Sequence, residues 1–308
     1  MNKIRTAIAG FGNVGAMALE AILREPDMEF AGIIDTAPVQ NIVSKLNPGR
    51  CNCLSPKVPL FNNIKDAGEI DVAIICAPSR KVKEIVSEYL AQGICTVDSF
   101  DIHTEIPQLK KDLDAVAKQY GKVSITAAGW DPGIDSVIRG WFLAMAPRGV
   151  TYTNYGPGMS MGHTVAVKAI EGVKNALSVT VPAGMGIHRR MVYIELQEGH
   201  DFKTVEERIK TDPYFVKDKT YVYEVPDVDQ LIDMGHGVLM ERKGVSGGTH
   251  NQMLKFEMRI DNPALTSQVM VSAARAAVKQ RPGCYTMIEV PVIDFLFGEL
   301  EDFIKKIV

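Results

Sequence analysis

The sequence predicts an α/β protein with an N-terminal doubly wound parallel sheet and a C-terminal α+β domain. In the first half, runs of continuous apolar residues alternate with amphipathic helices, and glycines mark the first strand–helix turn. The second half has alternating or β-rich segments separated by helices, which is typical of a mixed or antiparallel sheet. A chain of 308 residues has room for about two domains.

The first strand and the turn after it indicate a dinucleotide site. An apolar run at residues 4–9 leads into G-F-G-N-V-G, and an amphipathic helix follows. In this layout the first glycine makes the tight turn, the second lets the backbone approach a phosphate, and the third permits close helix–strand packing. An ordinary glycine turn is the alternative. The residues predicted to bind the cofactor here are Gly10, Phe11, Gly12, Asn13, Val14 and Gly15.

The second strand ends in Asp35, an acid about 20 residues beyond the glycines, where a carboxylate is expected on a ribose hydroxyl. Residues 36–59 have no clear hydrophobic period and are predicted to be a loop with short helical pieces. A buried strand at residues 70–78 follows. Its carboxyl end adds four predicted cofactor residues, Cys76, Ala77, Pro78 and Ser79.

Strands at residues 94–98 and 122–128 alternate with helices at residues 81–92 and 106–120. This order predicts a Rossmann domain, which we place at residues 1–120. Ligands of such sheets gather at the carboxyl ends of the strands. That rule brings the glycine turn, Asp35, residues 76–79, residues 98–101 and residues 129–133 to one edge of the sheet.

Residues 121–297 are predicted to form a domain for substrate binding and dimerisation. Because a sheet with one open face often pairs with a second copy, we expect a homodimer or a larger homo-oligomer. The last helix, within residues 298–308, is expected to pack back on the first domain. The predicted strands of the second half are 151–155, 178–182, 190–196, 220–225 and 254–260, and its helices are 164–176, 202–211 and 264–279.

Composition excludes several classes of protein. A net charge of −3 without a run of Lys or Arg argues against a nucleic-acid partner. No apolar segment reaches the roughly 18 residues of a membrane-spanning helix. The N-terminus does not fit a signal peptide, and five cysteines are predicted to stay reduced, which favours a cytoplasmic protein. Cys51 and Cys53 are expected in a surface loop, and no metal site is expected.

Three acids follow predicted strand ends. Asp98 and Asp101 follow the strand at residues 94–98, and Asp131 lies in a W-D-P-G turn. A carboxylate at such a position can hold a ligand ammonium group by a charge-assisted hydrogen bond. It can equally cap a helix, with Pro132 at the first helical position in the case of Asp131. The residues alone leave both interpretations open.

The second half contributes cations and a glycine-rich turn. Residues 155–163 contain three glycines before a helix, which favours a loop that wraps around a small molecule. Strand alternation predicts that one of Arg189 and Arg190 points inward, where it can bind a carboxylate. His236, between two glycines, is predicted to lie in a flexible polar loop. Each residue alone is more often structural, but acids and cations together suit an amino-acid ligand.

With these motifs together, the chain resembles the meso-diaminopimelate dehydrogenase family over essentially its whole length. The resemblance implies reversible NADP-dependent oxidative deamination of the D-centre of meso-2,6-diaminopimelate, in lysine and cell-wall precursor synthesis. The implied products are ammonia and L-2-amino-6-oxopimelate, which cyclises to tetrahydrodipicolinate. The motifs are G-F-G-N-V-G at 10–15, T-V-D-S-F-D-I-H at 96–103, G-W-D-P-G at 129–133, G-P-G-M-S-M-G-H-T at 156–164, M-G-H-G at 234–237 and D-N-P-A-L-T at 261–266.

The resemblance also implies roles for individual residues. Asp98 and Asp131 would hold the reacting amino group, with Asp101 nearby, and His236 is a candidate for proton transfer. Aromatic walls of the pocket would come from Trp130 and Tyr155. The other implied substrate residues are Met159, Met161 and Gly162 along the main-chain wall, and Thr180, Arg190, His236 and Asn262 around the distal carboxylate and its amino group.

One position departs from the family pattern. Relatives usually carry a basic pair after the second strand, for the adenosine 2′-phosphate, but this chain has Asp35, Thr36 and Ala37 there. A carboxylate accepts from a free 2′-hydroxyl and repels a phosphate, so Asp35 favours NAD whereas the resemblance implies NADP. Arg50 and Arg80 are candidates to compensate. Two other functions stay open: a related amino-acid or diamino-acid dehydrogenase, and a nucleotide-sensing protein without turnover.

Overall fold

The computed structural model describes residues 3–37, 58–232 and 235–308. The contacts of the chain divide it into two compact units, residues 1–137 with 263–308, and residues 138–262. Most of the loop predicted at residues 36–59, including Arg50, Cys51 and Cys53, lies outside the described residues.

The first unit is built on one parallel sheet with the strand order β14-β6-β5-β4-β1-β2-β3. This order confirms the predicted doubly wound sheet, since the chain leaves β1 first to one side and then crosses to the other. The strands are β1 Ile4–Ala9, β2 Met28–Ile34, β3 Leu60–Phe61, β4 Val72–Ile75, β5 Cys95–Asp98, β6 Val123–Ile125 and β14 Gly283–Tyr285.

Helices cover both faces of this sheet, so successive residues of a strand enter different cores. Ile8 lies in one apolar cluster, while its neighbours Ala7 and Ala9 lie in the other. The continuous apolar runs in the sequence follow from this double burial. The helices are α1 Asn13–Ile22, α2 Ser79–Ala91 and α3 Ile106–Gln119, while α4 Asp135–Met145 and α7 Asn262–Ala277 carry the chain between the units.

The division of the contacts differs from the boundary predicted at residue 120. Strand β6 hydrogen-bonds to β5, and β14 hydrogen-bonds to β6 in the same parallel sheet. Residues 121–137 and 263–297 therefore belong to the first unit. Because β14 is far away in sequence, local pattern alone could not assign it to this sheet.

The second unit contains two smaller sheets, in the orders β11-β10-β9-β8 and β13-β12-β7. All pairs are antiparallel except β10 with β11, so the predicted α+β character is confirmed. Its elements are β7 Arg148–Tyr155, β8 Gly158–Met159, α5 Met161–Lys168, β9 Val173–Gly184, β10 Ile187–Leu196, α6 Phe202–Thr211, β11 Lys219–Glu224, β12 Gly235–Ser246 and β13 Thr249–Asp261.

Two local predictions in this unit are wrong. The helix expected at residues 164–176 ends at Lys168, because Val173 begins the long strand β9. The flexible loop expected around His236 is the start of strand β12, and His236 is only 7% exposed. Its flanking glycines allow close backbone contact, since a Cβ at Gly237 would lie 2.6 Å from the carbonyl oxygen of Met258.

The C-terminal part of the first unit is tied down by Arg275 on α7. Its guanidinium, 4% exposed, lies 2.5 Å from carboxylate oxygens of both Glu25 and Asp27 and donates to the carbonyl of Phe295 at 2.9 Å. The last helix, α8 Leu300–Ile307, belongs to the same unit by its contacts. None of its side chains is buried, so its expected packing on the first domain stays a prediction.

Candidate active site

The glycine turn has the geometry that a dinucleotide requires. Gly10 has φ +90°, and a Cβ there would lie 2.7 Å from the carbonyl oxygen of Cys76. A Cβ at Gly15 would lie 2.4 Å from the carbonyl oxygen of Gly10. Gly12 is different, because it begins α1 and no atom lies within 4 Å of where its Cβ would be. The turn therefore fits a pyrophosphate at the N-terminus of α1.

Asp35 is hydrogen-bonded to the backbone of this turn. Its Oδ2 accepts from the Phe11 amide at 2.7 Å, and its Oδ1 accepts from the Ala37 amide at 2.8 Å. A carboxylate has about four lone-pair positions, so a ribose hydroxyl can still donate to it. Asn13 is exposed, and the carbonyl of Val14 accepts from Oγ of Ser267 at 2.8 Å.

The segment from Cys76 to Ser79 connects the end of β4 to helix α2. Burial raises the pKa of the Cys76 thiol to about 12, so the thiol stays protonated and does not act as a nucleophile. Ala77 and the exposed Pro78 lead into α2, whose first residue is Ser79. Oγ of Ser79 donates to Oδ1 of Asp101 at 2.7 Å. Ser79, which was predicted to bind the cofactor, thus positions Asp101, which was predicted to bind the substrate.

Asp98 is completely buried at the end of β5. Its Oδ1 accepts from the Phe100 amide at 3.0 Å, Oγ1 of Thr126 at 2.9 Å and the Ala127 amide at 3.2 Å. No described group donates to its buried Oδ2. Burial raises the pKa of Asp98 to about 6, although these hydrogen bonds oppose the rise. Asp98 therefore joins the loop after β5 to the loop after β6.

The loop after β6 carries the other two predicted residues of this unit. Trp130 is 5% exposed, whereas the Asp131 side chain is 20% exposed. Asp131 has extended backbone angles, and its Oδ1 lies 3.7 Å from Nε2 of His103. Gly133 has no room for a side chain, since a Cβ would lie 2.7 Å from Sδ of Met287.

In the second unit, two glycines of the glycine-rich turn are explained by packing of the backbone. A Cβ at Gly156 would lie 2.3 Å from the carbonyl oxygen of Thr180. A Cβ at Gly158 would lie 2.0 Å from the carbonyl oxygen of Gly235. The turn therefore passes between β9 and β12 only because these side chains are missing. Packing of the backbone therefore explains Gly156 and Gly158 without a ligand.

Polar side chains cluster on β9 and β10 of the four-stranded sheet. Arg189 is exposed and the Arg190 side chain is 13% exposed, which confirms that one arginine points inward. Arg190 and Thr180 are cross-strand partners, and the guanidinium donates to the Thr180 hydroxyl through Nη1. Nε of Arg190 donates to Oδ2 of Asp218 at 2.6 Å.

Two histidines border this cluster. Nδ1 of His236 lies 2.7 Å from the Gly237 amide nitrogen and 3.0 Å from the Gly237 carbonyl oxygen, so it accepts from the first in one tautomer and donates to the second in the other. Nε2 of His188 accepts from the Tyr155 amide at 2.8 Å. Burial, followed by the charge of Arg190, lowers the pKa of both rings, so both are neutral at pH 7.

The remaining predicted substrate residues lie on neighbouring elements. The Tyr155 hydroxyl accepts from Nη2 of Arg139. Asn262, 5% exposed, donates from Nδ2 to the carbonyl of Met159 at 3.2 Å. Met161 and Gly162 form the first turn of α5.

The predicted site residues thus form two groups, one in each unit. The first contains the glycine turn, Asp35, residues 76–79, three acids and Trp130, and the second contains the cations and the other predicted wall residues. Sequence reasoning missed Asp218, His188, Arg139 and Thr126. Only His188 carried a signal, since it precedes the inward arginine on the same strand; the others depend on contacts between distant segments.

Within the residues that the structure describes, no group of three His, Cys, Asp or Glu side chains could hold a metal ion. The same part of the chain has no helix long and apolar enough to cross a membrane. Cys76, Cys95 and Cys284 are free thiols. The cytoplasmic location stays a prediction.

Comparisons with known proteins identify relatives of the whole chain. A family model for the diaminopimelic acid dehydrogenase C-terminal domain matches residues 129–187, and one for a CoA binding domain matches residues 1–100. The meso-diaminopimelate D-dehydrogenase of Bacteroides fragilis is 56% identical over 308 residues, which is 100% of both chains.

Two solved structures match this chain over 100% of its length and over 100% of the length of their own chains. The C. glutamicum DAP dehydrogenase in complex with DAP has a TM-score of 0.88 and 28% identity. An engineered D-amino acid dehydrogenase bound to NADP+ has a TM-score of 0.86 and 26% identity. Identity of 56% along the entire chain decides the relationship: this protein belongs to the meso-diaminopimelate D-dehydrogenase family.

Proposed function

We propose that the protein catalyses the reversible oxidative deamination of meso-2,6-diaminopimelate at its D-centre. The products are ammonia and L-2-amino-6-oxopimelate, which cyclises to tetrahydrodipicolinate, a precursor of lysine and of cell-wall peptides. The observation that carries this proposal is the 56% identity to a curated meso-diaminopimelate D-dehydrogenase over the whole chain. A substrate with two ammonium and two carboxylate groups also suits a protein that offers both acids and cations.

A bound nicotinamide cofactor supplies the hydride acceptor. The glycine turn holds its pyrophosphate at the N-terminus of α1. Asp101 and Asp131 are both partly exposed, so they can accept hydrogen bonds from the reacting ammonium group. The ammonium group first gives up one proton, to one of these carboxylates or to water. When the carbon then loses hydride, the negative charges of Asp101 and Asp131 stabilise the iminium that forms. Water then adds to the carbon, and ammonia leaves.

Asp98 acts differently from these two acids in our proposal. A fully buried carboxylate does not meet the substrate, but it holds the backbone of the two loops that carry Asp101 and Asp131. We therefore assign Asp98 a positioning role instead of the direct contact that the family resemblance implies.

The second unit binds the distal end of the substrate. Arg190 and Thr180 offer donors to the distal carboxylate, with Asn262 and His236 beside them. The walls of the second unit are Tyr155, Met159, Met161 and Gly162, whereas Trp130 is the aromatic wall that the first unit contributes to its own part of the site. His236 is a binding group rather than a base in this proposal, because burial lowers the pKa of its ring and makes it a weaker proton acceptor.

Asp35 directs the choice between the two nicotinamide nucleotides. Its carboxylate accepts from backbone amides on both sides and stays next to the glycine turn. A second negative charge, on an adenosine 2′-phosphate, is repelled there. Arg80, exposed in the first turn of α2, is the described cation that can offset this repulsion. We propose that NADP is accepted, as the family resemblance implies, but that Asp35 shifts the preference towards NAD.

A homodimer through the three-stranded sheet completes the proposal. Strand β13 is a 13-residue edge strand, and such edges readily pair with another chain. Lys243 on β12 pairs with Val150 on β7 at one side and with Met253 on β13 at the other. Val150 is 53% exposed and Met253 is 55% exposed. Burial of these side chains against a second copy would remove apolar surface from water.

The proposed activity is tested by cofactor reduction with meso-diaminopimelate, using NAD and NADP in turn. We expect kcat/KM for meso-diaminopimelate to exceed that for D-norleucine by about 100-fold or more, because two charged distal groups each contribute roughly 1.5–3 kcal/mol. LL-diaminopimelate, which has no D-centre, is the control and should not react. Absence of turnover with meso-diaminopimelate under both nucleotides would refute the proposal.

The role of Asp35 is tested with Asp35→Ser. We expect the ratio of kcat/KM with NADP to that with NAD to rise roughly tenfold, because one negative charge near the 2′-phosphate is removed. Using the ratio cancels any loss that comes from a weakened glycine turn. Asp66→Ser, at an exposed acid of the same unit, should leave the ratio unchanged. An unchanged ratio in Asp35→Ser would show that Asp35 does not discriminate.

The buried Asp98 carboxyl makes stability depend on pH. Its native pKa of about 6 exceeds the ordinary 3.8, so between these values the native state keeps a proton that the unfolded state has released. This group therefore lowers the free energy of unfolding as pH rises from 4 to 6, by up to about 3 kcal/mol.

Asp98→Asn removes this titration. Measured by urea unfolding, the variant should gain stability relative to the wild type as pH rises from 4 to 6, whatever constant offset the substitution adds. Asp66→Asn should show no such trend. If the free energies of unfolding of Asp98→Asn and the wild type changed in parallel from pH 4 to pH 6, the raised pKa of Asp98 would be contradicted.

The dimer is tested with Met253→Asp. A charge in the buried interface should convert a dimer of twice the chain mass into a monomer, as measured by size-exclusion chromatography with light scattering. Val216→Asp is the control, because Val216 is 63% exposed on the connection between α6 and β11. A monomeric wild type, or a dimeric Met253→Asp variant, would exclude this interface.

A further inference from the structure

Asp218 lies in the connection between α6 and β11, and its position is held by the backbone. Its amide donates to the carbonyl of Phe215 at 3.0 Å, and its own carbonyl accepts from Oγ1 of Thr220 at 3.2 Å. Thr220 pairs directly with Arg190 in the parallel ladder of β10 and β11. The carboxylate is therefore fixed beside the inward arginine of the neighbouring strand.

The ion pair between Asp218 and Arg190 uses only part of each group. Oδ2 of Asp218 accepts from Nε of Arg190 at 2.6 Å. Nη1 of Arg190 donates to Thr180. Among residues 3–37, 58–232 and 235–308, no group donates to Oδ1 of Asp218, and its side chain is 23% exposed. One carboxylate oxygen is thus available to a ligand that approaches Arg190.

The two histidines that border this pair are neutral. Burial lowers the pKa of His188 and of His236, and the charge of Arg190 lowers both further. Arg190, Asp218 and these two rings therefore present one positive and one negative charge, which add to zero. A bare carboxylate would be drawn to Arg190 and repelled by Asp218. A zwitterionic amino-acid end, with its carboxylate and ammonium on one carbon, satisfies both.

We propose that Asp218 is a specificity-determining residue that accepts the distal ammonium group while Arg190 binds the distal carboxylate. The inference rests on the proposed function, since it concerns the end of the substrate that does not react. Asp218 thereby selects a diamino diacid over ligands with a single distal charge. A purely structural Asp218 would instead support Arg190 equally for every ligand.

Three ligands separate these roles: meso-diaminopimelate, D-2-aminopimelate, which lacks the distal ammonium, and D-lysine, which lacks the distal carboxylate. Calorimetry on the nucleotide-loaded protein measures binding of each one. We expect the wild type to bind meso-diaminopimelate at least about tenfold more tightly than either analogue. Turnover of meso-diaminopimelate is measured separately, so a failure of the proposed reaction is distinguished from a failure of this selectivity.

In Asp218→Asn, affinity for meso-diaminopimelate should fall about ten- to hundredfold, whereas affinity for D-2-aminopimelate should change less than about threefold. Asp218→Glu keeps the charge and should retain most of the preference. Asp212→Asn is the matched control: it removes a charge at the end of α6, where the carboxylate accepts from the Tyr214 amide at 2.9 Å. It should alter neither affinity.

Equal losses for meso-diaminopimelate and D-2-aminopimelate in Asp218→Asn would overturn the proposal, because they would indicate support of Arg190 alone. If Asp218→Asn does not fold, the wild type decides. Binding of D-2-aminopimelate as tight as that of meso-diaminopimelate would then overturn the proposal, and the expected tenfold preference, together with its retention in Asp218→Glu, would support it.

Discussion

The parallel pairing of β1 on both of its edges is the constraint on which the first unit depends. β1 pairs with β2 and with β4, and its residues enter different apolar clusters in alternation. A shift of one residue would exchange the two faces, so the register is strongly determined. With the register set, the strand ends coincide at one edge. The glycine turn, Asp35, Cys76 and Asp98 reach that edge for this reason.

Burial separates residues that look equivalent in the sequence. Asp98 and Asp101 lie three residues apart, yet one is wholly enclosed and joins two loops, while the other stays accessible beside Ser79. The same holds for Arg189 and Arg190, since only the second meets Thr180 and Asp218. Which member of each pair can meet a ligand therefore depends on which one the fold encloses.

The cofactor part of the site was predictable because its signals are local. A strand, three glycines, a helix and an acid at a set distance follow one another in the chain, and each has its own backbone requirement. The packing reason for Gly156 and Gly158 and the strand that contains His236 could not be predicted, since both depend on segments that are distant in sequence. Gly158 has no room for a side chain, because the carbonyl oxygen of Gly235 lies 2.0 Å from where its Cβ would be.

The sequence by itself determined the doubly wound sheet, the dinucleotide turn, the family and the inward arginine. The family follows from motifs spread along the whole chain. The other three follow from periodicity or from motifs within about 35 residues, where chain connectivity fixes the geometry. Only the tertiary structure decided that β14 completes the first sheet, that Asp98 is enclosed and that Asp218 faces Arg190. Each of those outcomes joins segments that are distant in sequence, and such pairings depend on packing that no local pattern encodes.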